Sequence, residues 1–192
     1  MLVRYADDAV MLFSCEDDAR RVMDVLPKRL AKYGLTLHPD KTRLVEFRRP
    51  DRRPPHDDRA SGRPGTFDLL GFTHLWGLSR RGKWVVKRRT ARDRFTRALK
   101  RVTEWCKFHR HRSVAEQCRA LTQKLRGHFG YYGITGNYEA LHRFWEQTKH
   151  AWRTWLARRS RRKGMPWSRM DRLLERYPLP PPRIVRPWCT PA

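Results

Sequence analysis

Tyr5-Ala6-Asp7-Asp8 is the stretch of this 192-residue chain best equipped for chemistry. Two apolar, β-prone arms flank it, Leu2-Val3-Arg4-Tyr5 before and Ala9-Val10-Met11-Leu12-Phe13 after. That pattern predicts a hairpin with the acids at its turn. Adjacent carboxylates at a tight turn crowd hard oxygen ligands into a small space, the setting Mg²⁺ prefers. Two such ions about 4 Å apart can activate a 3′-hydroxyl and stabilise a leaving pyrophosphate. Four residues alone do not choose between that chemistry and an ordinary Asp-Asp turn.

The elements that would position the pair follow from periodicity. Ser14, with Asp17 three positions on, predicts an N-cap. Val22, Val25, Leu26 and Leu30 follow at helical spacing. Pro27 inside that run predicts a kink, and Gly34 a C-cap. A strand is expected at Thr42–Phe47. From Arg48 to Thr66 the composition turns to Arg, Pro, Asp and Gly without large apolar residues, which predicts a flexible basic loop. Phe67-Asp68-Leu69-Leu70-Gly71-Phe72 reads as a strand, and Leu75–Arg88 as a hairpin turning near Arg81-Gly82.

Beyond residue 88 the period becomes helical. Thr90 is placed to cap a helix carrying Phe95, Leu99, Val102 and Cys106 on one face. Ser113 with Glu116 forms a capping box for a second helix bearing Val114, Cys118, Leu121 and Leu125. Gly127 to Gly136 reads as a break rich in Gly and Tyr. Asn137 is placed to cap a third helix with Leu141, Phe144, Trp145, Thr148, Trp152 and Trp155 inward. Arg143, Lys149, Arg153 and Arg158 fall on its other face. A short helix is expected near Trp167–Leu174, then an extended, polyproline-like Pro178–Pro187.

Charge sets the class of partner. Lys and Arg number 44 against 19 Asp and Glu, a formal net of +25. A chain so charged repels itself unless a polyanion neutralises it, and nucleic acid is the usual one. With 39% hydrophobic residues and eight tryptophans, a core can still form. No apolar run is long enough to span a bilayer, so no membrane partner and a cytoplasmic location are expected. Cys15, Cys106, Cys118 and Cys189 form no C-x-x-C pair, so neither zinc nor a disulfide framework is expected. His109 and His111, set among arginines, suit phosphate or solvent better than a metal.

The segments fall in a telling order. After Val3-Arg4-Tyr5-Ala6-Asp7-Asp8 and the helix come Gly34-Leu35-Thr36-Leu37-His38-Pro39-Asp40-Lys41-Thr42 and Phe67-Asp68-Leu69-Leu70-Gly71-Phe72. This order resembles the last three palm blocks of reverse transcriptases. Lys124-Leu125-Arg126-Gly127-His128-Phe129-Gly130-Tyr131-Tyr132-Gly133-Ile134-Thr135-Gly136-Asn137 looks like the signature of the group II intron maturase domain. Trp155–Ser160 and Pro178–Ile184 are similar to that family's ending. The resemblance covers about residues 2–185.

That resemblance implies an α+β chain, a partial reverse-transcriptase palm followed by an α-helical thumb/maturase domain. Residues 1–47 would be the C-terminal part of the palm and 48–66 the loop. Residues 67–88 would end the palm with a primer-grip-like strand and hairpin, 89–185 would be the thumb and maturase-specific domain, and 186–192 a tail. It implies that Asp7 and Asp8 are catalytic Mg²⁺ ligands. Lys41 would support substrate and template, and Leu70, Gly71 and Phe72 would contact the primer. The RNA-binding candidates are Arg126, His128, Tyr131, Tyr132, Arg158, Arg159, Arg161, Arg162 and Lys163. Their basic and aromatic chemistry suits phosphates and unpaired bases.

The family's third catalytic aspartate and its fingers precede the matching region, and no acid here sits on an equivalent strand. Mg²⁺ of the intact family is therefore expected to bind weakly or not at all, and the chain alone is not expected to polymerise. Group II intron RNA is the expected partner, with an RNA–DNA duplex and a separate N-terminal polymerase half as further ones. Three functions stand open. They are a reverse transcriptase of a mobile intron, a non-catalytic RNA-binding splicing factor, and the remnant of a truncated gene.

Overall fold

The computed structural model describes residues 1–39, 41–50, 65–159 and 164–187. It divides into two compact units, Met1–Lys87 and Arg88–Ala192. The architecture is mixed α+β, with five strands and five helices among the described residues.

In the first unit the alternating arms form a hairpin, β1 (Leu2–Tyr5) and β2 (Asp8–Met11), with Tyr5 opposite Asp8. Ala6 takes φ 52 at the first turn position, as type II′ turns require. Alanine is strained there, at a cost of about 1–2 kcal/mol. Helix α1 spans Glu16–Ala31 with Cys15 at its N-cap. The expected cap at Ser14 is therefore one residue early. No side chain caps this end; Glu16, Asp17 and Asp18 instead place negative charge against the helix dipole. The helix runs through Pro27. It closes on a Schellman pattern, with Gly34 N–H donating to Ala31 O at 3.1 Å and Leu35 N–H to Leu30 O at 3.1 Å. Gly34 supplies the positive φ of 68° this needs.

Thr42–Phe47 is not a strand. Its carbonyls are taken outside any ladder: Glu46 O accepts from Gly65 N–H at 3.0 Å and Phe47 O from the Trp76 indole at 3.3 Å. The Phe47 ring stacks on Trp76 and meets Phe67 edge-on. The three-stranded sheet is β3 (Phe67–Leu69), β4 (Phe72–Leu78) and β5 (Trp84–Thr90), in that order. The expected single strand over Phe67–Phe72 is thus a hairpin. Leu70 (φ 51) and Gly71 (φ 77) occupy both left-handed positions of a type I′ turn. The turn near Arg81-Gly82 falls where expected, with Gly82 at φ 71. Of the described residues in this unit, Ala19 alone is fully buried, and Leu2, Val3, Tyr5, Met11 and Met23 are exposed.

The second unit holds the core. Helices α2 (Arg92–Phe108), α3 (Val114–Tyr132), α4 (Tyr138–Ala157) and α5 (Trp167–Arg176) bring together Val102, Cys106, Leu121, Leu125, Phe144 and Trp152. The Ser113–Glu116 capping box forms in both directions. Thr90 does not cap α2; Ala91 holds that place, because the Thr90 hydroxyl is committed elsewhere. Helix α3 also runs through Gly127 and Gly130 and stops only at Gly133, so the expected break begins six residues late. Two interior glycines cost about 1 kcal/mol each, less than burying Leu125 and Phe129 returns. After α5 the chain is extended, with Leu179 and Pro182 buried. No helix among the described residues is long and apolar enough to cross a membrane.

Candidate nucleic-acid interface

Asp7 stands at the β1–β2 turn and Asp8 opens β2, both exposed. Their carboxylates are the hard donors Mg²⁺ takes, but among the described residues no three His, Cys, Asp or Glu side chains gather as a metal site. The donor chemistry therefore fits in part. Lys41 is exposed just past α1. Leu70, Gly71 and Phe72 sit at the tip of the β3–β4 hairpin, in a different sheet from the acids.

The helical unit carries most of the charge. Residues 88–192 contain 26 Lys and Arg against 7 Asp and Glu, whereas residues 1–87 contain 18 against 12. On α2, Arg92, Arg94, Arg97, Lys100, Arg101 and Lys107 are all exposed. On α4 the cations lie flat on aromatic faces. Arg143 is 4.7 Å from the Phe95 ring centroid, Lys149 is 3.8 Å from Trp145, and Arg153 is 4.5 Å from Trp167. Of these only Arg143 is exposed; Lys149 is ion-paired to Glu146 at 2.8 Å and Arg153 donates to Met165 O at 2.7 Å, so both are held within the fold.

The sequence-predicted RNA contacts separate into two groups. Arg126 is exposed on α3, Tyr131 is about half exposed, and Arg158 lies over the Trp155 ring at 4.6 Å. All three are exposed, and the Tyr131 ring meets Tyr132 edge-on at 4.8 Å. His128 is not placed for a phosphate. Its ring stacks on Phe144 at 3.8 Å and packs near Tyr132, and its Nε2 is buried without a partner. Burial pushes its pKa down to about 4, so the ring is neutral at pH 7. Tyr132 is half buried beside it. Arg159 is a tie within the fold, since its guanidinium donates to the carbonyls of Arg110 and Arg112. Arg161, Arg162 and Lys163 lie outside the described residues.

Three residues beneath this surface have roles that the sequence did not reveal. Gln117 is buried in α3, and its amide nitrogen lies 3.0–3.1 Å from the carbonyls of His109, Arg110 and Arg112. Its oxygen accepts from the Trp152 indole at 2.8 Å. One side chain thus moors the α2–α3 loop to the core. The signal was there: Gln117 is a polar residue inside the apolar stripe Val114, Cys118, Leu121, Leu125. Gly133 is the second. Its carbonyl accepts from Val185 N–H at 2.8 Å and Arg186 N–H at 2.9 Å, fixing the extended C-terminal segment beside α3. A Cβ there would meet Phe129 O at 2.2 Å and Arg183 O at 2.9 Å, so no side chain fits. Thr90 is the third, bonded to Asn137.

Residues 94–173 match the family model described as group II intron, maturase-specific domain. The match begins in the first turn of α2 and ends in α5. No curated protein and no solved structure matches the chain significantly.

Proposed function

We propose, from the match of residues 94–173 to the group II intron maturase-specific domain, that the chain clamps folded group II intron RNA and so promotes its splicing. The observation that carries this reading is a coincidence of span. The matched segment lies within the helical unit in which 26 cations face 7 acids. Arginines on α2, α3 and α4 would neutralise phosphates and release their counterions. Such contacts position a protein without reading sequence. A protein that binds the compact RNA better than open forms shifts the population toward the compact one, by no more than its difference in affinity. Splicing of an intron precursor at limiting Mg²⁺ tests this. Added chain should accelerate splicing; bound RNA that splices no faster would refute the role.

Residues 1–87 lie outside the matched span, and for them the order of the Tyr5–Asp8, Gly34–Thr42 and Phe67–Phe72 segments supports a palm reading. Asp7 and Asp8 would hold Mg²⁺, with Lys41, Leu70, Gly71 and Phe72 near substrate and primer. The bound metal would activate a hydroxyl nucleophile and neutralise charge on the leaving phosphate. Two exposed carboxylates do not by themselves fix a two-metal geometry. The 192-residue chain alone should give no primer extension on an RNA template. Extension abolished by Asp7→Asn would overturn that expectation.

A further inference from the structure

A cavity of about 340 Å³ lies between the C-terminal half of α3 and the extended segment that follows α5. Arg126, Phe129 and Gly130 line it from the helix; Pro180, Pro181 and Arg183 line the other wall. That volume is in the range of sites that take one small organic ligand. The second wall is not loose, because Val185 and Arg186 are hydrogen-bonded to Gly133 O. A wall held in advance lowers the ordering cost of binding.

Gly130 says what kind of space this is. A glycine inside a helix costs about 1 kcal/mol relative to alanine. At Gly133 protein atoms require it, but at Gly130 a Cβ would meet nothing within 4 Å. Gly127, one turn earlier on the same helix, is also open. Packing among the described residues thus gives no reason for either residue. Two arginines, Arg126 and Arg183, also line the space, and a guanidinium's planar fork matches phosphate. A ligand for it has a flat apolar part for the glycine–proline cleft and an anion for Arg126 and Arg183.

Resting on the RNA-binding reading above, we propose that this cleft takes one unpaired nucleotide of the bound RNA. The base lies between Gly130 and the Pro180-Pro181 wall, and its phosphate meets Arg126 and Arg183. Unpaired bases splayed from an RNA fold are the usual objects of specific recognition, and a duplex cannot offer one.

The test uses the 192-residue chain with two probes, a short single-stranded RNA carrying 4-thiouridine and a blunt RNA duplex of equal length. Wild type should bind both, and irradiation should crosslink the single strand to residues 126–131 or 180–185. Gly130→Leu, which fills the cleft, should weaken single-strand binding about ten-fold and leave duplex binding unchanged. Gly130→Ala should melt slightly higher than wild type and keep much of its affinity. If Gly130→Leu disturbs the fold, Arg126→Gln with Arg183→Gln, both on exposed residues, should weaken single-strand binding clearly more than duplex binding. Equal losses for both probes, or crosslinks elsewhere, overturn the cleft while leaving general RNA binding intact. Binding to neither probe at low salt by folded protein overturns both readings.

Discussion

The side chain of Asn137 is locked to Thr90, 47 residues earlier in the chain, by two buried hydrogen bonds. Thr90 N–H donates to Asn137 Oδ1 at 3.0 Å, and Asn137 Nδ2 donates to Thr90 Oγ1 at 2.9 Å and to Tyr132 O at 2.9 Å. Asn137 thus ties the end of β5 and the end of α3 to the start of α4. Asn137→Ala leaves buried groups unpaired and should cost on the order of 3 kcal/mol in urea denaturation. Thr90→Val, which removes only the hydroxyl, should cost about 1 kcal/mol. Asn137→Ser is the informative control, since serine is a good N-cap but is too short to keep these partners. It should be as unstable as Asn137→Ala; wild-type stability would show that capping is the residue's whole role.

The two glycines beside the C-terminal segment should respond in opposite directions. Gly130→Ala adds a methyl into open space in a helix and should stabilise by about 0.5–1 kcal/mol. Gly133→Ala drives a methyl into the Phe129 and Arg183 carbonyls and should destabilise by about 1–3 kcal/mol or more. Thermal denaturation of the pair decides it. Similar shifts for both variants would mean that the close approach at Gly133 is misplaced.

His128 makes folding sensitive to acid. The buried ring titrates at about 4 in the folded chain, against about 6.5 unfolded. Below pH 6.5 the unfolded chain takes up a proton that the folded one refuses. This contribution is therefore full above about pH 6.5 and is lost as pH falls toward 4, by roughly 3 kcal/mol in all. His128→Phe keeps a ring stacked on Phe144 and removes the proton. Denaturation curves between pH 7 and 4.5 should show a smaller stability loss for the variant. Equal losses would place the titration elsewhere.

Arg126 and Arg159 should separate binding from folding. Arg159→Gln loses two bonds to the α2–α3 loop and should cost about 1 kcal/mol of stability, discounted for their exposure. Its RNA affinity per folded molecule should barely change. Arg126→Gln should leave the melting temperature alone and lower the salt dependence of RNA binding by about one phosphate's worth. The reverse pattern would exchange their roles.

These contrasts mark where sequence reading succeeds and stops. Local signals were legible. The Ser113–Glu116 box, the Gly34 and Gly82 turns, and the apolar faces of α2, α3 and α4 all depend on residues within a few positions of one another. The errors lie where a distant partner decides. Thr90 looked like a cap because nothing nearby shows that Asn137 claims its hydroxyl. Gly127–Tyr132 looked like a break because glycine's local cost is visible and the burial of Phe129 is not. Thr42–Phe47 has strand composition, yet its backbone serves Gly65 and Trp76. In the candidate interface, Arg126 and Arg158 looked alike to Arg159 until the Arg110 and Arg112 carbonyls were placed beside it.

The most direct test is the salt dependence of RNA binding by the 192-residue chain. Filter retention of a folded group II intron, measured across a salt series with protein folding checked in parallel, gives the slope of log affinity against log salt. We expect tight binding at low salt and a slope of magnitude about 4–8, matching roughly that many phosphate contacts. Salt-insensitive binding, or none at low salt by folded protein, would contradict the claim that the helical unit's excess of cations serves RNA.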